Sequence, residues 1–198
     1  MIRLGITGGI GSGKSYVSHI LHNDFGLPIY NSDVRARILT LIDPEVCRQL
    51  SELVEGVYTP DGDVDKQRLA GYLFASEENA RKVNAVIHPA VRRDLHEWYA
   101  EHNDVPVVGV ESAILYESGF DRETDFVLFV DAPEELRIQR TMKRDGLTRE
   151  QVEQRIARQR PEEAQQRAHF IVMNDGEKDL HAQLQEIITT QIKERKLC

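Results

Sequence analysis

Cysteine is nearly absent from this 198-residue chain, which has only Cys47 and Cys198. A disulfide framework is therefore not expected, and two isolated thiols fit a reduced, cytoplasmic setting. No apolar run approaches the length of a membrane span. Met1 leads straight into an apolar strand pattern, which leaves no room for a signal peptide. No His or Cys pair has metal-ligand spacing, so no resident zinc site is expected. Internal repeats and low-complexity stretches are also missing. Basic residues are in deficit, 25 Lys and Arg against 33 Asp and Glu, for a net charge of −8. That balance argues against a nucleic-acid binder and against an anionic membrane surface as partner. What remains, 40% hydrophobic and 29% charged residues, suits a globular protein that can bury a proper core. The length allows one domain with an insertion, or two small lobes.

One stretch organises the rest. Gly8-Gly9-Ile10-Gly11-Ser12-Gly13-Lys14-Ser15 fits G-x-x-x-x-G-K-[ST], the phosphate-binding loop of nucleotide hydrolases and kinases. Ahead of it Ile2-Arg3-Leu4-Gly5-Ile6 is β-compatible. Behind it apolar Val17, Ile20 and Leu21 stand at helical spacing. Glycines let main-chain N–H groups close around phosphate oxygens, and the next helix adds partial positive charge at its N-terminus. Lys14 is expected to reach the β- and γ-phosphates, and Ser15 to ligate Mg²⁺ that arrives with the nucleotide.

The remaining pattern predicts a P-loop α/β core, a doubly wound parallel sheet of about five strands. Strands are expected at 27–30, 105–110, 126–130 and 170–173, the middle two as continuous apolar runs of the kind buried on both faces. Residues 34–103 read as a helical insertion, with Asp43-Pro44, Asp65 and Ser76 as helix starts and Thr59-Pro60-Asp61-Gly62-Asp63 as a turn. Pro89 is expected to begin the helix holding Trp98 and Tyr99. Pro133 opens a helix that Asp145-Gly146 closes, and Thr148-Arg149-Glu150-Gln151 is a capping box. Residues 1–33, 104–136 and 166–198 then make the nucleotide-binding core, 34–103 a substrate lobe and 137–165 a lid. Asp24-Phe25-Gly26 copies a protein-kinase triplet, but the other kinase signatures are missing and Gly26 reads as a helix stop.

Three groups outside the loop could carry chemistry. Asp33, at the end of the second strand, could take a proton from an acceptor hydroxyl or hold metal-bound water; equally, it could cap a helix over 34–42. Arg137, Arg140 and Arg144 lie three and four residues apart and could clamp phosphates, or form a solvated helix face. They belong to a stretch, 137–160, with eight basic residues (Arg155, Arg158 and Arg160 among them) against three acidic ones. Such a local patch on an acidic chain suits a small polyanion. His88-Pro89, followed by Arg92 and Arg93, could meet a substrate phosphate, or His88 could be structural.

The chain closely resembles the dephospho-CoA kinase family. The resemblance spans nearly its whole length. It rests on Thr7-Gly8-Gly9-Ile10-Gly11-Ser12-Gly13-Lys14-Ser15 and on Asn31-Ser32-Asp33-Val34-Arg35-Ala36-Arg37, which is similar to D-A-D-x-x-A-R. His88-Pro89, Ala113-Ile114-Leu115-Tyr116-Glu117, Arg140-Thr141-Met142-Lys143-Arg144-Asp145, Ile156-Ala157-Arg158-Gln159 and Asn174-Asp175-Gly176 extend it. The resemblance implies phosphorylation of the 3′-hydroxyl of dephospho-CoA by ATP, ending coenzyme A biosynthesis, with Mg²⁺ as cofactor. It implies Asp33 as base with Lys14 and Arg140 as catalytic partners. It places Gly9, Gly11, Ser12, Gly13, Lys14, Ser15, Tyr16, Arg140, Arg144 and Asn174 around ATP. Asp33, Arg37, His88, Arg92, Leu115 and Glu117 fall on the dephospho-CoA side. The implied partners are those two small molecules, with no nucleic acid or membrane, and a monomer or weak homo-oligomer. Two positions depart from the pattern: Asn31 replaces the first aspartate of D-A-D, and Ala113 replaces a proline. Glu111 would supply the carboxylate near that strand end. A P-loop kinase of nucleosides or nucleoside monophosphates is the nearest rival. A guanine-nucleotide switch lacks support, because N-K-x-D and D-x-x-G are missing.

Overall fold

The computed structural model describes residues 1–157, 159 and 161–192; Arg158, Arg160 and Cys198, named above, lie outside the described residues. The chain divides into two compact units, one of Met1–Ile29 with the chain from Asp104 onward, the other of Tyr30–Asn103.

The first unit is built on β1 (Ile2–Thr7), β2 (Ile29–Asn31, which crosses the unit boundary), β3 (Val107–Glu111), β4 (Phe126–Asp131) and β5 (Phe170–Met173). They form one five-stranded parallel sheet in the order β2-β3-β1-β4-β5. β1 is central, with Ile6 opposite Glu111 of β3 and Leu128 of β4. Strand order reverses on either side of it, so the loop after β1 opens at the switch point where α/β sheets take their ligands. Val127, Leu128, Phe129 and Val130 are all buried, so both faces of β4 are covered. On one face Leu4, Ile6, Leu128 and Val172 share a core with Val17 and Leu21 of α1 (Lys14–Asn23). Leu184 of α9 (Leu180–Glu186), Ile187 and Ile188 of the π-helical turn Ile187–Gln191, and Ile192 just after it complete that core.

The second unit holds α2 (Ser32–Ile42), α3 (Pro44–Leu53), α4 (Lys66–Ala75) and α5 (Glu77–Glu101). α5 packs against each of the other three. Asp43, Asp65 and Ser76 cap their helices through side-chain oxygens, as the sequence suggests. Pro89 does not begin a helix: α5 runs through it. A mid-helix proline forfeits one N–H donor, but α5 buries Val83, Ala90, Val91, Leu95 and Tyr99 on both sides of it, and that packing outweighs the lost bond.

Asp33 does not cap α2 either. The helix starts at Ser32, and Asn31 is its cap, its Oδ1 accepting from the Val34 N–H at 2.9 Å. Asp33 sits in the first turn, where a carboxylate is favoured by the helix dipole. Asn31 caps the helix as an aspartate would, because both residues serve that role equally well.

Between β4 and β5 lie α6 (Glu134–Asp145), α7 (Arg149–Ala157) and α8 (Pro161–Arg167). The Thr148 capping box forms in both directions: Thr148 N–H donates to Gln151 Oε1 at 2.9 Å, and Gln151 N–H to Thr148 Oγ1 at 3.4 Å. α8 begins within the stretch 137–165 expected as a helical lid, though the sequence reading marks no helix start there. Pro161 at its first position and Glu162 and Glu163 in its first turn are the signals that mark it. No described helix is long and apolar enough to cross a membrane.

Asn31→Ala should lower stability by ~1 kcal/mol, the usual cost of a lost cap, whereas Asn31→Asp should change it by no more than a few tenths. Urea unfolding of the three proteins checks this; equal midpoints for Asn and Ala would show that the cap contributes nothing.

Candidate active site

The glycine loop between β1 and α1 takes its shape from close packing beneath it. Gly13 has φ +93° and forms the N-terminal cap of α1. A Cβ there would collide with Asn174 Nδ2, and one on Gly11 (φ +76°) would collide with the Arg137 carbonyl. Both positions therefore demand glycine twice over, for conformation and for space. Lys14 Nζ folds back onto the loop, donating to Gly8 O at 3.0 Å and Gly9 O at 3.5 Å, so its charge stands over the loop rather than in open solvent.

Four side chains tie down carbonyls of the loop and one of its amides. Arg137 of α6 is 7% exposed and donates through Nε to Ile10 O at 3.1 Å. Gln159 accepts from the Ile10 N–H at 2.8 Å, so this one peptide is held at both ends. Asn174, just past β5 and 7% exposed, donates through Nδ2 to Ser12 O at 2.8 Å. Arg140 Nη1 donates to the Asn174 carbonyl at 3.0 Å and approaches Ser12 O at 3.5 Å.

The three arginines of α6 therefore do not act as one row. Arg137 lies buried under the loop, and Arg140 joins the loop to the end of β5. Arg144 instead pairs with its neighbour Asp145 at 2.7 and 3.0 Å, with 62% of its side chain exposed. Helical spacing put them on one face, but α6 packs against the loop near its start and leaves it by Arg144.

Ser15 Oγ donates to Glu111 Oε1 at 2.6 Å; Glu111 is buried at the end of β3. A hydroxyl and a carboxylate so close are two hard oxygen donors, the set that Mg²⁺ accepts when water and phosphates complete its shell. Among the described residues no group of three His, Cys, Asp or Glu could hold a metal by itself. A cleft beside the loop is lined by Thr7, Gly8, Gly9, Ala113, Glu117 and Gln159, among others, which brings Glu117 to the loop's edge. Tyr16 is exposed at the start of α1. Leu115 is fully buried, and a Cβ on Gly5 would lie 2.8 Å from its Cδ2. Its side chain is packed inside the protein rather than on its surface.

In the helical unit, Asp33 and the exposed Arg37 stand one turn apart on α2, and His88 and Arg92 one turn apart on α5. His88 is half-buried, and burial together with the Arg92 charge pushes its pKa below 6.5. Sequence reading missed the hold on Ile10: Gln159 falls in a segment quoted for the resemblance, but nothing in its type or spacing points to the loop. It also missed Asp94, which accepts from both Tyr30 and Arg35.

Comparison with known proteins agrees with this geometry. The family model described as dephospho-CoA kinase matches residues 2–179. A Bacteroides fragilis protein named dephospho-CoA kinase is 44% identical over 188 residues, covering 94% of this chain and 91% of its own length. A Porphyromonas gingivalis protein of the same name is 41% identical over 192 residues, covering 96% and 94%. A crystal structure from Thermus thermophilus superposes with a TM-score of 0.86 at 33% identity, covering 96% of this chain and 97% of that one.

The depressed pKa of the His88 imidazole has a consequence for stability. Below pH 6.5 the unfolded chain gains a proton that the folded chain resists, so this group's contribution falls as the solution is acidified. Titration of the His88 ring by NMR should give a midpoint below 6.5, and His88→Gln should flatten part of the acid-side loss of stability. A midpoint at or above 6.5 would contradict the described environment.

Proposed function

The chain belongs to the dephospho-CoA kinase family, and on that premise we propose how its residues divide the work. The enzyme phosphorylates the 3′-hydroxyl of dephospho-CoA with ATP, giving coenzyme A and ADP, the last step of coenzyme A biosynthesis. The observation that carries this reading is the family match over residues 2–179. It runs through the glycine loop, Asp33, His88 and Asn174.

The amides of Gly9, Gly11, Ser12, Gly13, Lys14 and Ser15 wrap the phosphates of ATP, aided by the N-terminus of α1. Lys14 and Arg140 offset the charge that spreads over the equatorial oxygens of the transferring phosphoryl. Ser15 and Glu111 supply oxygens to Mg²⁺ that enters with ATP; bound there, the ion neutralises charge on the β- and γ-phosphates. Asn174 stands toward the adenine end. Asp33 accepts the proton of the 3′-hydroxyl as the oxygen attacks the γ-phosphorus, and it orients that oxygen beforehand. Arg37, His88, Arg92 and Glu117 bind on the acceptor side; a neutral His88 presents one ring N–H to a phosphate and one lone pair to a hydroxyl. Arg144 and Tyr16 are outer contacts of ATP. Residues 137–165 act as a lid, and shielding the γ-phosphoryl from water suppresses ATP hydrolysis.

Coupled ADP release should be fast with dephospho-CoA and Mg²⁺, and slower by orders of magnitude with adenosine or AMP. It should stop when the metal is chelated. Asp33→Asn should cut kcat by ~10²–10⁴-fold, the range for general-base loss, with little change in ATP affinity. Collapse of ATP affinity instead would move Asp33 to the metal site. Lys14→Ala should lower kcat by ~10²–10³-fold. Turnover of adenosine with dephospho-CoA inert would overturn the assignment.

A further inference from the structure

We infer that Asp94 is a positioning residue for phosphoryl transfer: one carboxylate on α5 grips the chain on both sides of Asp33 and fixes where that base points. The inference rests on the reading of Asp33 as the base.

The contacts all lie within the helical unit. Tyr30, three residues before Asp33, is 2% exposed, and its hydroxyl donates to Asp94 Oδ2 at 2.6 Å while lying 3.2 Å from the Val91 carbonyl. Arg35, two residues after Asp33, donates through Nε to the same oxygen at 2.8 Å and through a terminal nitrogen to Oδ1. That is a two-pronged guanidinium–carboxylate pair, the strongest and most directional ion pair available to side chains. Between these anchors the Asn31 cap closes the first turn of α2 on Val34. The backbone from 30 to 35 is therefore fixed before, within and after the turn that carries Asp33.

The shared carboxylate keeps its charge. The Arg35 guanidinium, first, and the Tyr30 hydroxyl hold its pKa below the ordinary carboxylate range, against the pull of burial. Burial and the Asp94 hydrogen bond in turn push the Tyr30 phenol far up, so it stays a donor.

Holding α2 on α5 does not by itself require this arrangement. The two helices pack on each other, and both carry buried apolar residues. Apolar contact is non-directional, and withdrawing a carboxylate from water is costly. An ionic fork adds what packing lacks, a fixed roll and register of α2. A misplacement of about 1 Å can cost ~10²-fold in rate. Asp94 also sits on the helix of His88 and Arg92, so it sets the base against the acceptor-side residues of its own unit.

A double-mutant cycle tests this. Asp94→Asn should lower kcat by ~10–10²-fold, with KM for ATP changed less than about twofold. Against an Asp33→Asn background the same change should cost almost nothing, because there is no base left to aim. Equal losses in both backgrounds, or an unchanged kcat for Asp94→Asn, would overturn the inference. If Asp94→Asn fails to fold, Tyr30→Phe and Arg35→Met, each removing one anchor, are put through the same cycle and judged the same way. Should Asp33→Asn itself turn over normally, the base reading falls and the inference with it. Normal non-additivity with a wrong substrate panel would instead reject only the choice of acceptor.

Discussion

A hollow lined with main-chain N–H groups carries a requirement that its sequence motif does not display. Each peptide that turns its N–H inward turns its carbonyl out, and a carbonyl shut away from water must find a donor. Here the outward carbonyls of Gly8 and Gly9 are met by Lys14, that of Ile10 by Arg137, and that of Ser12 by Asn174 and Arg140. Three of those donors are cationic, so they also bring positive potential to the place where a polyanion must sit. The scaffold of the phosphate loop and its electrostatics are thus supplied by the same groups. This is why α6 and the end of β5 lie where they do.

The helical unit solves a different problem with a similar device. Its floor is apolar packing on α5, and under the proposed reading of Asp33 as base one residue in its first helix must point in one direction. Asn31 fixes the helix start, and Asp94 fixes what flanks it. In both units an ionic or polar side chain from a distant element pins a short backbone run. Neutral packing would hold the elements together but leave their roll undetermined by an ångström or more, too loose for in-line attack.

The parts legible in the sequence were those encoded locally. The glycine loop, the buried strands, the Asp43, Asp65 and Ser76 caps and the Thr148 capping box each depend on residues within a few positions of one another. Their forms follow from short-range sterics and hydrogen bonding. Errors arose where a distant partner decides. Periodicity placed Arg137, Arg140 and Arg144 on one face but could not tell that the loop covers the first two and leaves the third to Asp145. Pro89 looked like a helix start because its local cost is visible and the packing that offsets it is not. Asp33 and Asn31 are two residues apart and both can cap; the register of α2, set by β2 before it, chose Asn31. Asp94 was invisible, since an acidic residue in a long helix is ordinary until its partners from residues 30 and 35 are known.

The basic stretch after β4 shows how the same distinction separates anchoring charge from available charge. Arg137 and Arg140 bond to carbonyls in part-buried positions, where a broken contact leaves a polar group unsatisfied; they hold structure and are costly to move. Arg149 pairs with Glu135 and Glu153, and Arg144 and Arg155 both with Asp145, with about half or more of each arginine side chain in solvent. Exposed pairs of that kind contribute little, because water competes for both partners. Two guanidinium groups on one carboxylate cannot both be neutralised by it. The outer arginines can therefore exchange a carboxylate for a phosphate oxygen at little cost, while the inner pair keeps the loop in shape. A segment built this way can change partners on its outer surface without disturbing the cradle beneath it.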